Sequence, residues 1–142
     1  MKRLKNNHLP NKGINIPCYS RDETGIGIVH LGIGAFHRAH QSYYTEEVLE
    51  KDGGSWGICG VSLRRPKVRD QMNPQDGLYS LVEQDKDGNR IRIIGAVKKV
   101  LFAREDPESV LKHMTSQYTR IVSLTVTEKG YCHDPASGHL NF

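Results

Sequence analysis

Hydrophobic positions along the chain fall into short runs divided by glycine-rich turns. Ile26, Ile28, Val29 and Leu31 form an almost wholly apolar run ending at Gly32, the pattern of a strand buried on both faces of a parallel sheet. From Ala35 to Lys51 the spacing predicts one helix with Ala39, Tyr43, Val48 and Leu49 toward the core, stopped by Asp52-Gly53-Gly54. Trp56, Ile58, Cys59, Val61 and Leu63 then predict a second buried strand, at the distance a parallel crossover requires, and the stretch from Arg64 to Asp70 turns polar and basic. Gly77 to Gln84 and Arg90 to Ala96 read as strands joined at Asp87-Gly88-Asn89, an antiparallel hairpin inserted beside the parallel elements. Asp106 suits a helix N-cap and Pro107 the first helical position, opening a short helix to about Thr115. Thr119 to Val126 returns as a strand, with Ile121, Val122, Leu124 and Val126 expected in the core. Strands alternating with helices place the chain in the α/β class, with a mostly parallel sheet and an inserted β-hairpin.

Composition narrows the reading. With 142 residues, 37% hydrophobic and 25% charged, the chain is sized for one core, and no apolar run approaches the roughly 18 residues of a membrane span. The formal net charge is +4, and most of it lies in residues 1–24, where Lys2, Arg3, Lys5, Lys12 and Arg21 face only Asp22 and Glu23. Pro10, Gly13 and Pro17 punctuate this segment, which is expected to be an irregular, solvated basic extension ahead of a dinucleotide-binding unit at 25–142. It lacks the basic block and interleaved aromatics of a nucleic-acid contact, so no nucleic-acid partner and no membrane partner is expected. The apolar core of a signal peptide is missing too, which gives a cytoplasmic expectation. Three widely spaced cysteines predict no disulfide framework. His37 and His40 form H-x-x-H, not a usual zinc pairing, and no second cluster completes four ligands, so no metal site is expected. Histidines in a first helical turn are expected as polar surface groups.

Gly32-x-Gly34 stands at the carboxyl end of the first predicted strand and directly ahead of a helix. Gly32 permits a tight turn, Gly34 lets backbone approach a pyrophosphate, and the helix N-terminus offers N–H groups to an anion. The third glycine position of G-x-G-x-x-G holds His37, and the same residues equally suit a plain strand-to-helix turn needing positive φ. At the end of the second strand, where an acidic residue would bond the adenosine ribose, Ser62-Leu63-Arg64-Arg65 stands instead. Arg64 there suits either a 2′-phosphate contact or a solvated basic loop.

The segment Ile28-Val-His-Leu-Gly-Ile-Gly-Ala-Phe-His-Arg-Ala-His40 resembles the nucleotide-binding segment of the long-chain mannitol dehydrogenase family. Trp56-Gly-Ile-Cys-Gly-Val-Ser-Leu63, Gln75-Asp-Gly-Leu-Tyr79 and Val122-Ser-Leu-Thr-Val-Thr-Glu-Lys-Gly-Tyr131 follow in the same order as in that family, nearest in wording to its fructuronate reductase members. The resemblance implies a Rossmann-like fold and a metal-independent oxidoreductase that moves hydride between NAD, or NADP, and a polyol or sugar acid. It implies a cofactor site at Ile28, Val29, His30, Leu31, Gly32, Ile33, Gly34, Ala35, Phe36, His37, Arg38 and Ala39. Arg64 and, along the crevice after the last strand, Thr125, Thr127 and Lys129 complete that set. Lys129 suits a crevice-lining role or a general base, and adjacent Glu128 disfavours the latter by raising its pKa. The family's catalytic lysine belongs to a K-x-x-x-x-N-x-x-H motif that no lysine here satisfies; Lys2 and Asn7 come nearest, with Pro10 at the histidine position. No catalytic residue is therefore assigned, and the chain is expected to be the truncated N-terminal portion of such an enzyme, without its substrate domain. The alternative is a remnant that binds dinucleotide at most and catalyses nothing.

Overall fold

The computed structural model describes residues 3–10, 13–86, 88–126, 132, 134 and 136–140. In chain order its elements are β1 (Ile26–Leu31), α1 (Ala35–Ala39), α2 (Gln41–Asp52), β2 (Gly57–Ser62), α3 (Lys67–Met72) and β3 (Tyr79–Asp85). They continue with β4 (Gly88–Ile94), β5 (Val97–Phe102), α4 (Pro107–Met114) and β6 (Ile121–Leu124). Four of the strands form a parallel sheet in the order β5-β2-β1-β6. Val29 stands opposite Cys59 on one side and Val122 on the other, and Leu31 opposite Val61 and Leu124, so β1 and its neighbours end together beside Gly32. Strands of a parallel sheet that carry helices on both faces read as continuous apolar runs, and every residue of β2 is buried.

The core divides by strand face. Ile28, Ile58, Val97 and Val100 pack with Leu49 of α2 and Met72 of α3, whereas Val29, Cys59 and Val61 pack with Val110 of α4. The hairpin β3–β4 pairs antiparallel in its own two-stranded sheet and adds Ile94 to the first cluster. Asp87 of its predicted turn lies outside the described residues. Asp106 caps α4 through a hydrogen bond from the Ser109 N–H at 2.9 Å, with Pro107 in the first turn as expected.

Several expectations are corrected. The helix foreseen from Ala35 to Lys51 is two helices, broken at His40, whose φ of −120° and ψ of −83° are not helical. The His40 ring stacks on Phe36 at 4.2 Å and its Nδ1 bonds the Phe36 carbonyl at 2.8 Å. Ala39 and Val48 are exposed, and α2 instead buries Ser42, Thr45, Glu46 and Leu49. β5 was not foreseen because Lys98 and Lys99 interrupt its apolar run, a composition tolerated where a strand lies at a sheet edge. α3 was hidden in the basic stretch. β6 is an edge strand with Ile121, Val122 and Leu124 exposed, not the core strand its sequence predicts.

The lead-in is irregular and its described residues are mostly exposed or half-exposed, but it is tied to the fold at particular residues. Arg21 is buried, and its guanidinium donates to the carbonyls of Gly95 at 2.9 Å and Asp76 at 2.7 Å, and to Asn6 Oδ1 at 2.9 Å. Asn15 exchanges backbone bonds with β4, donating to Ile91 and accepting from Ile93. Among the described residues no helix is long and apolar enough to cross a membrane.

Candidate functional site

The turn after β1 is built by three backbone bonds. The N–H groups of Gly32 and Ile33 both donate to the Val61 carbonyl, at 2.9 and 3.3 Å, which fastens the turn to the end of β2, and the Gly34 N–H donates to the Gly32 carbonyl at 2.6 Å. Gly32 has φ +94°, a conformation L side chains rarely adopt, so glycine is required there. Gly34 has φ −81°, and a Cβ added to it would meet nothing closer than the Gly32 carbonyl oxygen at 3.8 Å. Backbone geometry therefore does not demand glycine at Gly34; open space above its Cα is what glycine preserves.

Ile33, between them, points inward and is buried. It crosses over Gly60 of β2 so closely that a Cβ at Gly60 would lie 2.1 Å from Ile33 Cδ1. α1 starts after Gly34, its N-cap residue, without a side-chain cap and without an acidic residue in its first turn. The first N–H groups of a helix have no intrahelical partners, which leaves those of Ala35, Phe36 and His37 as donors at the turn.

His37 is buried instead of lying on the surface. Its ring stacks on His30 of β1, with centroids 3.7 Å apart and planes at 19°, and its Nδ1 lies 3.3 Å from Ser42 Oγ. Nε2 of His37 is buried without a hydrogen-bond partner among the described residues. His30 Nδ1 is 2.9 Å from Ser123 Oγ of β6 and Nε2 is 3.1 Å from Thr125 Oγ1, while Gln41 of α2 lies 3.3 Å from the same Ser123 hydroxyl. Burial lowers the pKa of both rings, and that of His37, further opposed by His30 and Arg38, is pushed down to about 3. Both imidazoles are neutral near pH 7.

The other residues of the expected cofactor set divide by position. Ile28 and Val29 are buried in the sheet beneath the turn, Leu31 is half-buried, and Ala35, Phe36 and Ala39 are exposed. Arg38, a member of the expected cofactor set, uses Nη1 to bond the Ile33 carbonyl at 3.1 Å, and its own carbonyl accepts the Tyr79 hydroxyl at 2.6 Å. Arg64 is exposed just beyond β2, at the carboxyl end of the sheet where the glycine turn also lies. Thr125 reaches His30, whereas Thr127 and Lys129 lie outside the described residues. Sequence reasoning missed Gly60, Gln41, Ser42, Tyr79 and Ser123. The available signal was His30 itself, a polar residue within an apolar strand, which must find partners on neighbouring elements. Among the described residues no group of three or more His, Cys, Asp or Glu side chains is placed to hold a metal.

Comparison with known proteins places this geometry. The sequence profile of the mannitol dehydrogenase Rossmann domain matches residues 26–140. An uncharacterized oxidoreductase of Escherichia coli K12, YeiQ, is 44% identical over 130 residues, covering 90% of this chain and 27% of its own length. The D-mannonate oxidoreductase of the same organism is 43% identical over 129 residues, covering 88% and 26%. Mannitol 2-dehydrogenase of Pyrenophora tritici-repentis is 42% identical over 123 residues, covering 84% and 22%. The chain thus spans about a quarter of the length of these relatives. Among solved structures, Pseudomonas fluorescens mannitol 2-dehydrogenase in ternary complex with NAD and D-mannitol superposes with a TM-score of 0.87 at 39% identity, over 98% of this chain and 30% of that one. Substrate-free D-sorbitol dehydrogenase gives 0.84 at 38% identity, over 99% and 30%.

Proposed function

The chain belongs to the mannitol dehydrogenase family, and from that premise we propose that it is the nicotinamide-dinucleotide-binding part of an oxidoreductase acting on a polyol or sugar acid. NAD is the proposed cofactor, and NADP is the alternative that Arg64 in place of an acidic ribose partner favours. When bound, the nicotinamide supplies hydride to, or takes it from, a carbonyl or carbinol carbon. The role of these residues is to bind and orient the dinucleotide.

The observation that carries the reading is the uncapped turn at Gly32 to Gly34: open space over two glycines, N–H donors without helix partners at the start of α1, and no carboxylate in the first turn to repel phosphate. In this reading Ile28 to Leu31 form the floor and Gly32 to His37 the pyrophosphate cradle. Arg38 braces the turn through the Ile33 carbonyl, and Phe36 and Ala39 line the rim. Thr125, Thr127 and Lys129 border the crevice on the β6 side. Residues 25–142 form this binding unit and residues 1–24 its extension. We place the protein in the cytoplasm, with the dinucleotide and the polyol or sugar acid as its small-molecule partners.

The test is a titration of the chain with NADH and, separately, NADPH, following nicotinamide emission, repeated with Gly34→Val. A Cβ there meets no neighbour closer than the Gly32 carbonyl oxygen at 3.8 Å, and the valine side chain would occupy space over the turn. Saturable binding by the native chain, weakened more than tenfold in Gly34→Val with an unchanged melting temperature, is the expected outcome. Equal binding by both proteins, or none by the folded native chain, would sink the proposal.

A further inference from the structure

We propose that the His30–His37 stack is a positioning element for the dinucleotide cradle, fixing the first turn of α1 against Ser123 and Thr125 at the end of β6. The proposal rests on the cofactor reading above and names how that site is held.

At the third position of a G-x-G-x-x-G turn a small residue lets helix and strand pack closely. This chain carries an imidazole there and still closes the packing, because the ring turns inward and lies flat on a second imidazole two residues before Gly32. Neither ring is exposed by more than 3%. The lower ring is held at both nitrogens by hydroxyls from Ser123 and Thr125, and Ser123 is tied in turn to Gln41 of α2. Among the described residues the upper ring has a hydrogen-bond contact of 3.3 Å to Ser42 and a buried Nε2 with no partner, so the face of His30 is what fixes its plane.

A displacement of Thr125 or Ser123 is therefore passed through His30 to His37, and from His37 to the backbone of the turn whose N–H groups face the ligand. Core filling alone does not account for two polar rings where two apolar ones would pack without an orphaned nitrogen. Both rings are neutral, so the stack carries no charge repulsion at neutral pH.

The experiment compares the native chain with His37→Gly, His37→Phe and Thr125→Val. NADH dissociation constants, the ³¹P signals of bound NAD and melting temperatures are measured for each. His37→Gly supplies the small residue of the usual motif but abolishes the stack. It is expected to weaken NADH about tenfold and to shift the pyrophosphate ³¹P signals, whereas His37→Phe restores affinity to within about threefold. Thr125→Val keeps the fold, since it alters only a half-buried hydroxyl, and is expected to move the same ³¹P signals. Native affinity and native ³¹P signals in folded His37→Gly and in Thr125→Val would overturn the proposal and leave the cofactor reading standing. Affinity that falls only in step with melting temperature, in glycine and phenylalanine variants alike, would reduce the stack to core filling. A folded native chain that binds no dinucleotide would overturn both.

Discussion

Single residues decide whether the turn after β1 can exist, and they do so for different reasons. Gly32 is fixed by its positive φ, Gly34 by the space a ligand would need, and Gly60 by the side chain of Ile33 lying across it. The first two were legible in the sequence, since a G-x-G between an apolar run and a helix is a local pattern. Gly60 was not, because its reason is a contact with another strand's loop. Gly60→Ala is expected to cost about 1–3 kcal/mol of stability by overpacking, as Ile33 is buried and Cγ1 and Cβ also lie within 3.1 Å of the added carbon. Removing the offending methyl with Ile33→Val in the same chain is expected to recover part of that loss. Urea midpoints of the two single variants and the double variant check this, and additive losses would show that the contact is not the cause. His37 was equally hidden: its local sequence says surface histidine, and only His30, Ser123 and Thr125 together explain its burial.

Elements were legible where one physical signal dominated and obscure where two competed. β1 and β2 are largely apolar runs, and α4 carries Asp106-Pro107 at its start, so all three stand where the pattern puts them. β5 and α3 were missed because both mix Lys or Arg into their pattern, and edge position in the one and surface position in the other make that harmless. The hairpin was legible, but its anchor was not. Arg92 of β4 is buried beneath it, forms ion pairs with Glu47 and with Glu50 at 2.5 Å on α2, and lies 5.1 Å over the Tyr43 ring. Glu47 is half-exposed, which weakens its share, so Arg92→Met is expected to cost about 1–3 kcal/mol, less than the loss from a fully buried pair. Hydrogen exchange supplies the check: amides of β3 and β4 should exchange faster in the variant while those of β1 and β2 keep their protection. Uniform acceleration across both sheets would mean that Arg92 holds the whole fold and not the hairpin alone.

At the scale of the whole molecule, buried titratable groups oppose one another across the sheet's helical face. Glu46 of α2 is fully buried and accepts from the Tyr19 hydroxyl at 3.0 Å and from the N–H groups of Gly95 and Ala96 at 2.8 and 2.6 Å, joining the lead-in, α2 and the β4–β5 junction. Burial nevertheless outweighs those bonds and raises its pKa. The folded state therefore holds this proton more tightly than the unfolded state, and the contribution to stability falls as pH rises from the ordinary carboxylate value of 4.5 through the raised one. His37 and His30 act the other way. Their folded pKa values lie below the ordinary 6.5, so their contribution is complete above pH 6.5 and is lost as pH falls, for His37 down to about 3. Each fully buried group of this kind contributes a slope of about 1.4 kcal/mol per pH unit where its two states differ by one proton. As pH rises from 4.5, and until the carboxyl ionises in the fold, the carboxyl and the imidazoles pull in opposite directions, and the native chain is expected to show a shallower pH profile there than a variant without the carboxyl. Glu46→Gln keeps an acceptor for the two amides and removes the titration, so its stability should rise more steeply with pH than that of the native chain. His37→Phe removes one opposing imidazole and should tilt the profile toward lower stability at higher pH. Urea midpoints at intervals of half a pH unit separate the three curves, and parallel curves for the native chain and Glu46→Gln would mean that the Glu46 carboxyl binds its proton equally in the folded and unfolded states, its three donors offsetting the effect of burial.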